Sequence, residues 1–174
     1  MVDFTIILFG SILIMYYSSQ FLLKPDSHGF FRFFAWEIIL ILFALNRIGW
    51  FSNALIWYQM VSWFLLTISI FLLVDGTYLL RKHGKSVISF EATTQLVTIG
   101  VYRYNRHPLY ASLLFLCWGI YFKSPSWLDV GLAMISSLFL SATARADEKE
   151  CITKFGDAYV VYMKTTKRFI PYLF

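Results

Sequence analysis

Charge is what this sequence has least of. Lys, Arg, Asp and Glu make up 14% of its 174 residues, against about 25% in an average soluble domain, while 59% of the chain is hydrophobic and 20% aromatic. That composition excludes an ordinary water-soluble fold and puts the chain in a bilayer. Cysteine is scarce as well. Cys117 and Cys151 cannot build a disulfide framework of the secreted type, and both are expected to pack as small apolar side chains. Of three histidines, His28 and His83 lack ligand spacing toward His107, so no metal site is expected. There is no internal repeat, no low-complexity tract and no basic, aromatic-interleaved soluble region that would hold a nucleic acid. The opening segment carries Asp3 where a secretory leader has positive charge, and no small-residue cleavage pattern follows, so it is expected to remain in the mature protein.

What is present is a set of five apolar segments, residues 3 to 23, about 33 to 50, 56 to 80, 108 to 122 and 127 to 144, against a spanning requirement of roughly 20 residues. The expected fold is an all-α integral membrane protein of about five transmembrane helices. The last two are short and separated by Ser124-Pro125-Ser126, which predicts a helical hairpin with Lys123 at its tip. Under five alternating spans, thirteen of the fifteen basic residues fall on one side, leaving Arg47 and Lys123 opposite. The positive-inside rule makes the richer side cytoplasmic, with the N-terminus outside and the C-terminus inside. The formal net charge of +5 then reflects topology and contact with anionic headgroups.

Outside the bilayer remain the loop from Arg81 to Arg106 and the tail from Arg145 to Phe174, both too small for a core of their own. In the tail, Ile152, Phe155, Tyr159 and Tyr162 or Met163 recur at helical spacing opposite Glu150, Lys154 and Asp157. This predicts a cytoplasmic amphipathic helix in the headgroup plane, ended by Lys167, Arg168 and Pro171 before an anchoring segment, 169 to 174. The loop, with Gly84, Val87-Ile88, Glu91 and Ala92-Thr93-Thr94-Gln95, is expected to order in part as a lid or short helix.

Charged groups inside spans are functional candidates. Arg47 lies close enough to the outer end to snorkel to water. Glu37 and Asp75 are each expected one to two turns inside the cytoplasmic boundary, either lining a cavity below the loop or paired with Arg32 and Arg81. His107 stands just before Pro108, a residue suited to the first turn of a helix. Arg106 beside it, Tyr102 and Tyr104 before it and Tyr110 after it make an anion-binding constellation at that helix start. Asp147 and Glu148, just past the fifth span, supply an acidic counterpart able to hold an ammonium through charge-assisted hydrogen bonds. A ligand carrying carboxylate, ammonium and a flat base would satisfy both clusters.

These residues resemble the isoprenylcysteine carboxyl methyltransferase family and, more broadly, the related membrane phospholipid methyltransferases. The likeness runs through Leu96-Val97-Thr98, Gly100-Val101-Tyr102, Arg106-His107-Pro108 with Tyr110, Asp147-Glu148, Phe155-Gly156 with Tyr159 and Tyr162, and Arg168-Phe169-Ile170-Pro171. It covers the C-terminal half in order. The resemblance implies a single membrane-embedded domain over residues 1–174, with three spans in 1–80 and a cofactor-binding catalytic half in 81–174. It implies an enzyme that uses S-adenosyl-L-methionine without a Rossmann domain. The cofactor would be held by Thr94, Gln95, Leu96 and Val97, by Gly100 and Tyr102, by Arg106, His107, Pro108, Leu109 and Tyr110, and by Asp147 with Glu148. Family members usually carry Glu at the Asp147 position, and a substrate-orienting Arg where this chain has Thr143, two residues before Arg145.

Methyl transfer from a sulfonium is an in-line displacement that needs positioning and dryness more than acid–base groups. A carboxylate acceptor needs only orientation, for which Arg145 is the candidate. An amine must lose a proton, which brings in Glu148, Glu37 or Asp75. The leading expectation is carboxyl O-methylation of an isoprenylcysteine-like lipophilic acid, the acceptor arriving laterally from the membrane lipid. The alternatives are N-methylation of a phospholipid headgroup, methylation of another hydrophobic small molecule, and, outside enzymes, a membrane scaffold or small transporter.

Overall fold

A computed structural model describes residues 2–51, 56–84 and 94–171. Its elements are helical: α1 (Val2–Leu22), α2 (His28–Asn46) continued by a 3-10 turn (Arg47–Phe51), α3 (Trp57–His83), a 3-10 turn (Gly100–Arg103), α4 (Pro108–Tyr121), α5 (Trp127–Phe155) and α6 (Asp157–Thr165). Among the described residues the only β pairing is an isolated parallel bridge between Asn105 and Lys167. Four helices, Phe4–Leu22, His28–Phe51, Trp57–His83 and Trp127–Phe155, are long and apolar enough to cross a membrane. The fourth expected span, α4, has 14 residues, about 21 Å at 1.5 Å per residue, short of a hydrocarbon core of roughly 30 Å.

The chain divides into two compact units. The first comprises Met1–Thr67 and Leu114–Asp147, the second Ile68–Leu113 and Glu148–Phe174. In the first, small residues let helices approach closely, as expected where no hydrophobic effect drives association. Gly10 abuts Leu40 and Gly119 abuts Leu66, while Ser62 donates to the Gly119 carbonyl at 2.6 Å and Trp118 Nε1 to Ser137 at 3.1 Å. Ser27 caps α2 by accepting from the Phe30 amide. Ser126 caps α5, accepting from the Asp129 amide at 3.1 Å while its hydroxyl donates to the Asp129 carboxylate at 2.7 Å, so one of the free amides of the first turn is satisfied. Cys117 is buried, as expected of a packing residue.

Three expectations are corrected. Helix α2 begins at His28 rather than near residue 33, so Arg32 is helical and buried against the rings of Trp36 and Phe21, 4.7 and 5.7 Å away. The Glu37 carboxylate, on the same helix, accepts a hydrogen bond from Ser11 at 2.6 Å. Helix α5 does not end near residue 144 but runs unbroken to Phe155, carrying Asp147 and Glu148 on the helix itself. The amphipathic tail is not one helix: Gly156, at φ +58°, breaks it, leaving Ile152 and Phe155 on α5 and Tyr159 and Tyr162 on α6. The expected lid around Val87-Ile88 and Glu91 and the last anchoring residues, 172 to 174, lie outside the described residues.

Candidate functional site

The site grows from the second unit. Val97, Tyr102 and Leu79 form a buried cluster that docks the loop before α4 onto the C-terminal part of α3. Gly100 makes the turn, at φ +60°, where a Cβ would collide with Leu79 Cδ1 and stand 3.5 Å from Asp75 Oδ2. The Tyr102 hydroxyl donates to the Gly76 carbonyl at 3.5 Å. A Cβ on Gly76 would in turn meet Leu109 at 3.0 Å, so α3 carries small residues where the start of α4 presses closest.

Asn105 joins this loop to the tail. Its side-chain amide donates to the Phe169 carbonyl at 2.7 Å and its carbonyl oxygen accepts from the His107 amide at 2.9 Å. Backbone bonds from Arg106 N to Lys167 O (2.9 Å), His107 N to Arg168 O (3.3 Å) and Lys167 N to Tyr104 O (3.3 Å) complete a short parallel ladder. From α6, the Tyr162 hydroxyl donates to the Tyr102 carbonyl at 2.5 Å. Residues about sixty positions apart in sequence are thereby set side by side.

The ladder delivers three cationic or imidazole groups onto one carboxylate. Glu148 Oε1 accepts from Arg106 Nε at 2.7 Å and from Arg168 Nε at 3.0 Å, and Oε2 accepts from Arg168 Nη2 at 2.8 Å. His107 Nε2 lies 3.4 Å from Oε1. Arg106 Nη1 also donates to the Thr166 carbonyl at 2.6 Å, and the His107 ring stacks on Tyr110 with centroids 5.4 Å apart. His107 and Glu148 are 5% exposed, so the pairing acts in a poorly screened setting. The Glu148 hydrogen bonds push the Arg168 guanidinium further above its ordinary range, fixing it as a permanent cation. Two guanidiniums share a single carboxylate, leaving the cluster with excess positive charge. A cavity of about 340 Å³ bounded by Thr98, Arg103, Tyr104, Tyr162, Thr165 and Thr166 shares Tyr162 and Thr166 with this frame; its volume is that of a small-molecule site.

Of the residues singled out from sequence, Tyr102, Arg106, His107, Pro108, Tyr110 and Glu148 are buried or nearly so in the second unit, with Leu96 and Leu109 half-buried, Val97 buried and Gly100 at the turn. Thr94 and Gln95 are exposed, their amides bonded to the Gly84 carbonyl at 2.8 and 3.3 Å. Asp147 and Arg145 belong to the first unit, Asp147 half-buried and Arg145 exposed. Glu148, of the acidic pair, is contacted directly by Arg106 and Arg168. Sequence reading missed Asn105 and the tail cation Arg168 as members of the site. The run Arg168-Phe169-Ile170-Pro171 was their signal, since a motif beyond the last helix must earn its place by pairing with something.

A family model described as phospholipid methyltransferase matches residues 57–157, more than half of the chain. The matched span takes in α3, the loop with His107, α4 and all of α5. No curated protein and no solved structure matches the chain.

Proposed function

Because the chain belongs to the phospholipid methyltransferase family, we propose that this membrane methyltransferase uses S-adenosyl-L-methionine and methylates the polar head of a lipophilic acceptor that reaches it from the bilayer. The observation that carries this reading is the cluster of Arg106, His107 and Arg168 around Glu148. Its excess positive charge fits a carboxylate, and Tyr102 and Tyr110 offer aromatic faces, so the donor set suits the cofactor's carboxylate end and flat base. The bound cofactor supplies an electrophilic methyl group on sulfur. The chain's own residues bind, orient and exclude water, the contributions such a displacement needs most. The basic tail and loop support a site facing the cytoplasm.

Two acceptor chemistries follow from the sequence. A carboxylate oxygen of an isoprenylcysteine-like acid is supported by the motif resemblance, with Arg145 as its orienting cation. A headgroup amine is supported by the description of the matched family. Calorimetric titration with S-adenosylhomocysteine tests the shared core: the wild-type protein binds it and His107→Ala does not, and unchanged affinity in that variant refutes the assigned role. Incubation with radiolabelled cofactor and a panel of prenylcysteine analogues and phosphatidylethanolamine sorts the products, because only esters release volatile methanol in base.

A further inference from the structure

A carboxylate inside a membrane-crossing helix is costly unless something meets its charge, and Asp75 is such a group. It lies in α3, eight residues before the helix ends at His83, about 12 Å at 1.5 Å per residue, and it is half-buried. Its Oδ2 lies 3.5 Å from where a Cβ on Gly100 would stand, and its neighbour Gly76 touches Tyr102 and Leu109. The carboxylate therefore borders the segment that carries His107. No described residue hydrogen-bonds or ion-pairs with it. Lys82, one heptad further on the same helix face, donates instead to the Tyr78 hydroxyl at 3.0 Å, and Arg106 and Arg168 are engaged by Glu148. Arg81, six residues on, points off that face.

We propose that Asp75 selects the acceptor: it receives the ammonium of an amine-bearing amphiphile and takes a proton from it, so the enzyme methylates nitrogen rather than a carboxylate oxygen. This rests on the methyltransferase reading. The balance closes. One N–H proton passes to the Asp75 carboxylate, the freed nitrogen lone pair forms the bond to the methyl carbon, the carbon–sulfur bond breaks with its electrons remaining on sulfur, and the proton then leaves Asp75 for water. A carboxylate acceptor in the same place would meet like charge in a low-dielectric setting, which disfavours it. Gly100 contributes by exposing this carboxylate, since any side chain there would press toward it.

The test uses the full chain in phosphatidylcholine nanodiscs. Equilibrium binding of dodecylammonium is compared with that of dodecanol, and methyl transfer to phosphatidylethanolamine with transfer to N-acetyl-S-farnesylcysteine, for wild type, Asp75→Asn and Asp75→Glu. Wild type is expected to prefer the ammonium by about tenfold or more, the scale of one charge-assisted hydrogen bond. Asp75→Asn loses that preference and the transfer to amine, Asp75→Glu recovers part of both, and all three bind S-adenosylhomocysteine alike. A wild type without preference, an Asp75→Asn variant that keeps it, or transfer to the carboxylate acceptor alone overturns the inference. Failure of wild type to bind S-adenosylhomocysteine would instead sink the methyltransferase reading, while the amphiphile comparison would still judge Asp75.

Discussion

At the scale of single residues, the site is held by one carboxylate that cannot be spared. Glu148 accepts from two guanidiniums, and removing one partner of a buried, hydrogen-bonded ion pair leaves uncompensated charge. Glu148→Ala is therefore expected to destabilise the protein by about 3 kcal/mol, read as a lowered midpoint in a denaturant titration in mild detergent, with Glu148→Gln intermediate because it retains an acceptor. Equal midpoints for wild type and Glu148→Ala would show the cluster to be decorative. Tyr162 makes a second case. Burial raises its phenol above the ordinary value of 10.0, outweighing the opposing pull of Arg106. A phenol whose folded-state pKa exceeds its unfolded one keeps its proton in the fold while the unfolded chain gives it up. Its stabilisation is complete below about pH 10 and lost as pH rises through the folded value. Tyrosinate absorbance during an alkaline titration should show a late-titrating group that Tyr162→Phe removes, and stability above pH 10 should fall less steeply in that variant.

At the scale of elements, two glycines at positive φ separate backbone strain from steric conflict. Gly156, at φ +58°, ends α5 and starts α6 with nothing within 4 Å of an added Cβ, whereas a Cβ on Gly100 would strike Leu79. Gly156→Ala should cost about 1 kcal/mol from backbone conformation alone. Gly100→Ala should cost more, and it should also loosen the Val97–Tyr102 docking, seen as faster amide exchange across residues 97–104. If the two variants proved equally stable, the collision would be relieved by a small movement of Leu79. The same glycines show what was readable beforehand. Hydropathy located α1 to α5, because a run of apolar residues and a helix long enough to cross a bilayer are nearly the same observation. It misjudged helix ends, since charge marks the water boundary while a helix continues until its backbone is stopped: α5 runs past Arg145, Asp147 and Glu148 to Gly156. The cationic half of the site was legible because Arg106, His107 and Pro108 adjoin in sequence. Its pairing with Arg168 was not, because the parallel ladder through Asn105 joins distant segments by backbone bonds that no side-chain pattern announces.

At the scale of the whole molecule, the orientation expected from charge can be tested because its main exception has a physical explanation. Lys123, between α4 and α5, is one of two basic residues assigned to the poorer side, yet it does not behave as a surface cation. It is 1% exposed; its Nζ lies 3.5 Å from the centroid of the Trp63 ring and 5.3 Å from that of Trp50, and donates to Gln59 Oε1 at 3.2 Å. Gln59 closes the arrangement by donating to the carbonyls of Gly49 and Lys123 at 2.7 and 2.8 Å. Burial lowers the pKa of this ammonium, and a desolvated cation over an indole gains about 2 kcal/mol, so Lys123 fastens a turn instead of voting on topology. Only Arg47 then opposes the thirteen basic residues assigned to the other side under five crossings, the asymmetry that the positive-inside rule reads as orientation. In a Cys151→Ser background, a cysteine at the exposed position Ser124 should react with a membrane-impermeant maleimide added outside intact cells, and one at the exposed position Lys164 only after permeabilisation. If α4, at 14 residues, failed to carry the chain across and α5 turned back with it, both positions would label from the same side. The hairpin would then be re-entrant and the crossings would number three instead of five, with the N-terminus still opposite the basic loop and tail.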